Sequence, residues 1–316
     1  MRDALLQPRI TRRSALQMAG AAVLPALIKP ARAAEPSTIR VAFAIQPATL
    51  DPQKMRVGGV DYNYVYNCFS RLTAQDPQLQ VQPDLATSWE ATEDLKTWTF
   101  HLRPGVKFHN GKPFDASDVV FTFKRIQDKE VGSVLRVNFS IVDSIEVVDP
   151  LTVRFNLSIP YADLPAAAAA YQAAIVSEST LDTLTTHPIG TGPFRFVEYR
   201  PGDQLVMERN PDYFLPGVPK LDRVIIRIIP EFTTSVAALE SGAVDAVFDL
   251  PPEQMERLAK SNVAHVEEVQ AGRWQGIIWN CGMKPFDDPR VRRAFNKLID
   301  KPRSPRSRCS ATPPQH

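Results

Sequence analysis

The residues in this chain whose types could do chemistry are few and badly spaced for it. His101, His109, His187 and His265 are scattered, no two of them have the spacing of a zinc-binding helix, and no G-x-S-x-G nucleophile elbow occurs. His101 and His109 fall on neighbouring predicted strands and could meet, a surface pair being the commoner outcome. Cys68, Cys281 and Cys309 include no C-x-x-C and no histidine at ligand spacing, so neither a metal centre nor a disulfide framework follows. An oxidising compartment would permit one bond, but buried free thiols are the expected state of Cys68 and Cys281. The run from Pro188 to Phe194, PIGTGPF, is glycine-rich like a phosphate cradle. It lacks the following Lys-Ser or Lys-Thr and the strand-to-helix setting, so its glycines read as backbone freedom at a hinge or crossover. No catalytic residue, metal or cofactor is expected, and binding is favoured over reaction.

The elements that would position any site are best read from Thr97 to Phe123. Trp98, Phe100 and Leu102 alternate with polar residues as a strand with one buried face, Pro104-Gly105 turns the chain, and Val106 and Phe108 repeat the alternation. Asn110-Gly111 is the dipeptide that supplies positive φ to a tight hairpin. Asp115 then caps a helix whose apolar positions are Val119, Val120, Phe123 and Ile126, with Asp118 completing a weak capping box. Further along, Ile141–Val148 and Leu151–Leu157 predict a hairpin. Tyr62–Leu72 predicts a helix, and Ala166–Ala174 a helix that runs into a short apolar strand. Val224–Ile229, Thr233–Glu240 and Val244–Phe248 read as strand, helix and strand, a parallel unit whose strand C-termini face a crevice, with Phe248 and Asp249 at such an end. Trp274–Trp279 predicts a strand. Asp288-Pro289 opens a helix striped by Val291, Ala294, Phe295 and Leu298, with its arginines on the solvated face.

Composition fits a globular protein. The chain has 316 residues, 44% hydrophobic and 23% charged, and 37 Lys plus Arg against 35 Asp plus Glu give a net charge of +2. That near balance argues against nucleic acid or an anionic membrane as the main partner. Arg2, Arg9, Arg12 and Arg13 precede an apolar stretch too short and too broken by Pro25 to span a bilayer, and Ala31-Arg32-Ala33 offers small residues to a signal peptidase. Residues 1–33 are therefore expected to be an export signal. Thr11-Arg12-Arg13-Ser14-Ala15-Leu16 resembles the twin-arginine motif, so a periplasmic location follows. Residues 302–316, with four prolines and no apolar periodicity, are expected to be a disordered, out-of-frame or fragmentary tail.

Several of these runs carry a resemblance. The Thr97–Phe123 block, the PDLATSW of Pro83–Trp89, the PIGTGPF run, NPDYF at Asn210–Phe214, the Glu231–Asp245 run with its ALESGAVD, and PFDDPRVRRA at Pro285–Ala294 together resemble the family 5 extracellular solute-binding proteins, the receptors of ABC importers. The likeness spans nearly all of Thr38–Lys301. It implies a mixed α/β fold of the two-lobed periplasmic-binding-protein type II, with the second large lobe mostly missing. Residues 38–82 and 188–270 would form the large lobe, 83–187 a smaller inserted subdomain, and 271–301 the start of the opposite lobe. It also implies a monomeric, non-enzymatic receptor that captures a peptide or other small solute and hands it to ABC permease subunits. By the same resemblance, the residues ahead of the PATLDP run face the ligand, which makes Gln46 a site candidate. Phe248, Asp249, Arg273, Trp274 and Gln275 complete the candidate set, since aromatic rings and a few hydrogen-bonding groups suit a cleft for a small polar solute. Core packing remains the alternative for Phe248 and Trp274. The rival functions are a non-binding remnant of such a receptor and a secreted hydrolase.

Overall fold

A computed structural model describes residues 37–55, 62–248, 250–261, 263–267 and 278–298. Residues 1–33, expected from sequence to be an export signal, the residues after Lys301, Asp249, and the Arg273–Gln275 start of the expected strand lie outside the described residues. The chain divides into two units, one holding residues up to Glu231 with Val244–Phe248, the other holding Phe232–Ala243 and the residues from Asp249 onward.

The described residues of the first unit form three sheets. The strands in chain order are β1 (Thr38–Phe43), β2 (Thr73–Gln75), β3 (Val81–Pro83), β4 (Ala86–Ala91), β5 (Thr97–Leu102), β6 (Val142–Asp149), β7 (Thr152–Leu157), β8 (Phe194–Arg200), β9 (Gln204–Arg209), β10 (Arg223–Ile228) and β11 (Ala246–Val247). A five-stranded sheet has the order β11-β1-β10-β9-β8, a four-stranded antiparallel sheet the order β4-β5-β7-β6, and β2 pairs with β3. In the larger sheet β1 runs parallel to both β10 and β11, whereas β10, β9 and β8 are antiparallel neighbours. The two strands read from sequence as consecutive parallel neighbours, β10 and β11, are thus separated by the N-terminal strand. The helices are α1 (Tyr62–Val65), α2 (Ala116–Gln127), α3 (Leu164–Ala167), α4 (Phe232–Glu240), α5 (Pro252–Ala259) and α6 (Pro289–Leu298).

Around the four-stranded sheet the expected alternation is realised, with Trp98, Phe100 and Leu102 of β5 buried and the residues between them partly open. The helix α2 lays Val119, Phe123 and Ile126 on this core. Phe123 meets Phe139 at 4.8 Å and Phe155 at 5.1 Å between ring centroids, and Phe155 meets Phe100 at 5.5 Å edge-on. The N-terminus of α2 closes a full capping box: Asp115 accepts from the Ser117 amide and Asp118 accepts from the Asp115 amide. Asp118 is only 3% exposed, and Lys112 Nζ donates to both its oxygens at 2.8 and 2.7 Å. The turn before the helix and the cap of the helix are thereby one polar unit.

That turn differs from its expected form. Only Gly111 has positive φ (87°), and the amides of Phe108 and Gly111 bond to the carbonyls of Lys112 and Phe108. These bonds describe a three-residue loop with glycine in the left-handed position, not a two-residue hairpin. The expected second strand is reduced to a single bridge between Lys107 and Pro113.

Three other expectations are corrected. Tyr62–Leu72 is helical only as α1 and a 3₁₀ turn over Tyr66–Cys68. The carbonyls of Cys68 and Ser70, which a longer helix would need, instead accept from the amides of Gly192 and Ile175. The alanine run forms only α3 and a 3₁₀ turn, with no strand after it. Cys68 is buried against Met207, its thiol pushed up to about 12 by burial, whereas Cys281 is exposed and so departs from its expected state.

The Pro188–Phe194 run joins the two larger sheets, and its glycines are needed for space. Neither has positive φ. A Cβ at Gly190 would come under 3.0 Å from the Cys68 backbone, and one at Gly192 under 3.0 Å from the backbone of Asn67 and Cys68. His109 fixes the same crossover: the Gly190 amide donates to Nδ1 at 3.4 Å and Nε2 donates to the Gly192 carbonyl at 3.0 Å. Both bonds are made by the neutral ring protonated on Nε2. Burial pulls its pKa from an ordinary 6.5 down to about 4. His101 sits instead beside Glu90 at 3.8 Å. A second tie is the buried pair of Asp51, 1% exposed, with Arg125 of α2, at 2.7 Å from Nη2 to Oδ2.

In the second unit, Asp288 caps α6 by accepting from the Arg290 amide, as the sequence predicts. Its apolar stripe is only partly covered among the described residues: Val291 is half-buried and Phe295 touches Trp279 and Phe286 at 5.0 and 5.7 Å, but Phe295 and Leu298 are exposed.

Candidate functional site

Because β1 and β11 are parallel, their C-terminal ends emerge on one edge of the five-stranded sheet. Open α/β sheets bind ligands outside such ends. The register Val41↔Ala246 and Ala42↔Val247 is held by a clamp one step earlier. Arg40 donates from Nε and Nη2 to the two oxygens of Asp245 at 3.0 and 2.9 Å, the Asp245 amide donates to the Arg40 carbonyl at 2.7 Å, and the Arg40 amide donates to Asp245 Oδ2 at 2.7 Å. The side-chain hydrogen bond from Arg40 holds the Asp245 carboxyl below its ordinary range. Both side chains are substantially exposed, so the pair adds little stability. Its consequence is register, which brings Phe248 beside Phe43.

The two rings stack with centroids 5.4 Å apart and planes 5° from parallel. Phe248 is 54% exposed, outside both core clusters, while Phe43 is backed by the buried ring of Tyr64 at 5.7 Å. Tyr64 donates its hydroxyl to the Ile45 carbonyl at 2.6 Å, fixing the chain as it leaves β1. Gln46 comes next, exposed, with Oε1 accepting from the Gly202 amide at 3.1 Å in the β8–β9 turn. That turn lies on the same edge, because β9 runs opposite to β10. Stacked aromatic surface, an exposed Ile45 and a side-chain amide can hold a planar or apolar part of a solute and hydrogen-bond beside it.

Of the residues expected from sequence, Gln46 and Phe248 are thus brought to one edge. Asp249, Arg273, Trp274 and Gln275 are outside the described residues. Phe43 and Tyr64 were missed. Phe43 was legible only as the last apolar residue of its strand, since its partner lies 205 positions away. A separate hollow of 250 Å³ is lined by His109, His187, Arg195 and Glu208 among others. His109 there is committed to the crossover, and Arg195 pairs with Glu208 at 2.9 Å. Among the described residues no group of three or more His, Cys, Asp or Glu could hold a metal ion.

Comparison with known proteins adds to this geometry. Residues 80–304 match the model of the bacterial extracellular solute-binding proteins, family 5 Middle. The chain belongs to family 5. Family 5 relatives include the glutathione-binding protein GsiB of Pectobacterium atrosepticum, 32% identical over 72% of this chain and 45% of that protein. Di/tripeptide-binding protein 1 of Pseudomonas aeruginosa is 32% identical over 81% of this chain and 52% of its own length. Among solved structures, the dipeptide-binding protein of Pseudoalteromonas sp. SM9913 in complex with Met-Leu superposes with a TM-score of 0.72 at 27% identity, over 83% of this chain and 57% of that one. The mixed sheets described above are therefore those of the periplasmic-binding-protein fold. The chain spans about half the length of the curated relatives it matches.

Proposed function

We propose that this chain takes part in reversible capture of a small solute, a peptide being the foremost class, for delivery to the permease subunits of an ABC importer. The observation that carries the proposal is the stack of the exposed Phe248 ring on the half-buried Phe43 at the C-terminal edge of the mixed sheet in a family 5 chain. The names of the relatives, which bind di- and tripeptides or glutathione, support that solute class. Gln46 supplies a polar contact beside the stack, and Asp249, Arg273, Trp274 and Gln275 are further contacts in the same reading. The protein acts as a monomer in the periplasm, exported through the paired arginines Arg12 and Arg13, and it makes or breaks no bond in the solute. Calorimetric titration with dipeptides, tripeptides and glutathione tests the proposal, with Phe248→Ala as the comparison. Removing a stacked ring from a contact surface is expected to weaken binding by about tenfold. Equal affinities for the two proteins would remove the aromatic edge from the site, and a chain that takes up none of these solutes would refute capture.

A further inference from the structure

Arg71 is buried, with 9% of its side chain exposed, yet its polar atoms are not all engaged. Nη2 donates to the Tyr66 hydroxyl at 2.9 Å and Nη1 to the Ala169 carbonyl at 3.4 Å. Nε is buried with no hydrogen-bond partner among the described residues. Asp84 is its ion-pair partner only at 4.0 Å, and that carboxylate already accepts from the Arg71 amide at 2.9 Å. Burial pushes the Asp84 carboxyl up, and Arg103 also acts on it electrostatically, so two guanidinium groups share one carboxylate. An unpaired polar atom on a buried cation is costly unless something answers it.

The open side of this cation is aromatic. The Arg71 guanidinium carbon lies 4.6 Å from the Tyr66 ring centroid and 5.9 Å from that of Tyr171, and the two rings meet edge to face at 5.4 Å. Tyr66 and Tyr171 are 41% and 42% exposed. Since the Tyr66 oxygen accepts from a guanidinium, its own O–H is polarised into a stronger donor. Beside the rings, Pro52, Met55, Val65 and Phe69 line an apolar recess of 10 Å³, the space of one water or one methyl group.

We propose that Tyr66, Tyr171 and Arg71 form a subsite for the carboxylate of a small organic solute. The Tyr66 hydroxyl donates to a carboxylate oxygen, Arg71 supplies the positive potential behind it, and the recess takes a methyl-sized end of the same molecule. The proposal rests on the receptor reading only for the statement that the carboxylate belongs to a captured solute. An amino-acid or peptide terminus and a simple organic acid present the same chemistry.

The probe is propanoate, followed by NMR at the Arg71 Nε–H and Tyr66 ring resonances, with propanamide as its uncharged isostere. Saturable shifts with propanoate, and none with propanamide, are expected. Tyr66→Phe keeps the ring and the fold but deletes the donor, and is expected to weaken the response by about tenfold or more. Arg71→Met should abolish it, and Tyr66→Phe carries the test if Arg71→Met does not fold. Equal responses to acid and amide, an unchanged response in Tyr66→Phe, or no response would each overturn the proposal. Ala-Ala and its C-terminal amide then separate the sources, a peptide terminus requiring a response to the first alone. Ala-Ala binding without any shift at Arg71 would sink the subsite and leave the receptor reading standing.

Discussion

Lowering the pH should weaken the crossover between the two larger sheets through one residue, His109. The fold holds its neutral ring, with Nδ1 accepting from the Gly190 amide and Nε2 donating to the Gly192 carbonyl. Protonation would put a second N–H against the Gly190 amide and a charge in a largely dry place. Burial is the main cause of a folded-state pKa near 4 against an ordinary 6.5, with Arg195 and His187 pushing the same way. The unfolded chain therefore binds the proton more readily. The contribution of His109 to stability is complete above the unfolded value, and it is lost progressively as pH falls from 6.5 towards 4. Two and a half decades of proton affinity, at about 1.4 kcal/mol each, set a ceiling of roughly 3 kcal/mol, of which about 2 kcal/mol is gone near pH 5. Other groups titrate in the same window, so the assay is a difference. Urea unfolding is followed across this range for the parent and for His109→Gln, whose Nε2 can keep the donation to Gly192 but takes up no proton. The parent should lose about 2 kcal/mol more than the variant between pH ~7.5 and ~5. Parallel stability curves, or a His109 ring seen by NMR to titrate near its ordinary value, would refute the reasoning.

Two further substitutions probe the same junction. Gly192→Ala places a methyl group within 3.0 Å of the Asn67 and Cys68 backbone, which no side-chain rotation relieves, and should cost about 2 kcal/mol or more in a denaturant titration. A loss under half that amount would mean that the crossover is looser than drawn. Arg125→Met strands the Asp51 carboxylate, 1% exposed, and should cost about 3–5 kcal/mol by thermal or urea unfolding. Asp51→Asn added to Arg125→Met should recover part of that loss, and a double variant no better than the single one would argue against an unpaired charge as the cause.

What could be read from the sequence was whatever a short segment specifies by itself. The burial of β5 follows from its alternation, the cap of α2 from Asp115 and Asp118, and the cap of α6 from Asp288. The errors fall where a distant partner decides. Tyr62–Leu72 has helical spacing, but its helix stops because Gly192 and Ile175 take the carbonyls of Cys68 and Ser70. The alanine run has helix propensity without side chains large enough to anchor a helix, so docking of Ile175 and Val176 onto Ser70 and Thr122 prevails. The two glycines of the crossover were recognised with the wrong reason attached: their φ angles are ordinary, and the segment they must approach is over 100 residues away.

The candidate site divides along the same line. Phe248 is marked by its place at the end of a strand, a local property. Phe43 matters because β1 slides between β10 and β11, and nothing near Phe43 announces that neighbour. The Arg40–Asp245 clamp converts one fact into the other: a slip of β11 by one residue would turn its alternate side chains to the opposite face and separate the two rings. The clamp is exposed and weak in energy, yet the shape of the aromatic edge depends on it. Its loss should therefore be read in ligand affinity and in the Phe43–Phe248 stack sooner than in the melting of the fold.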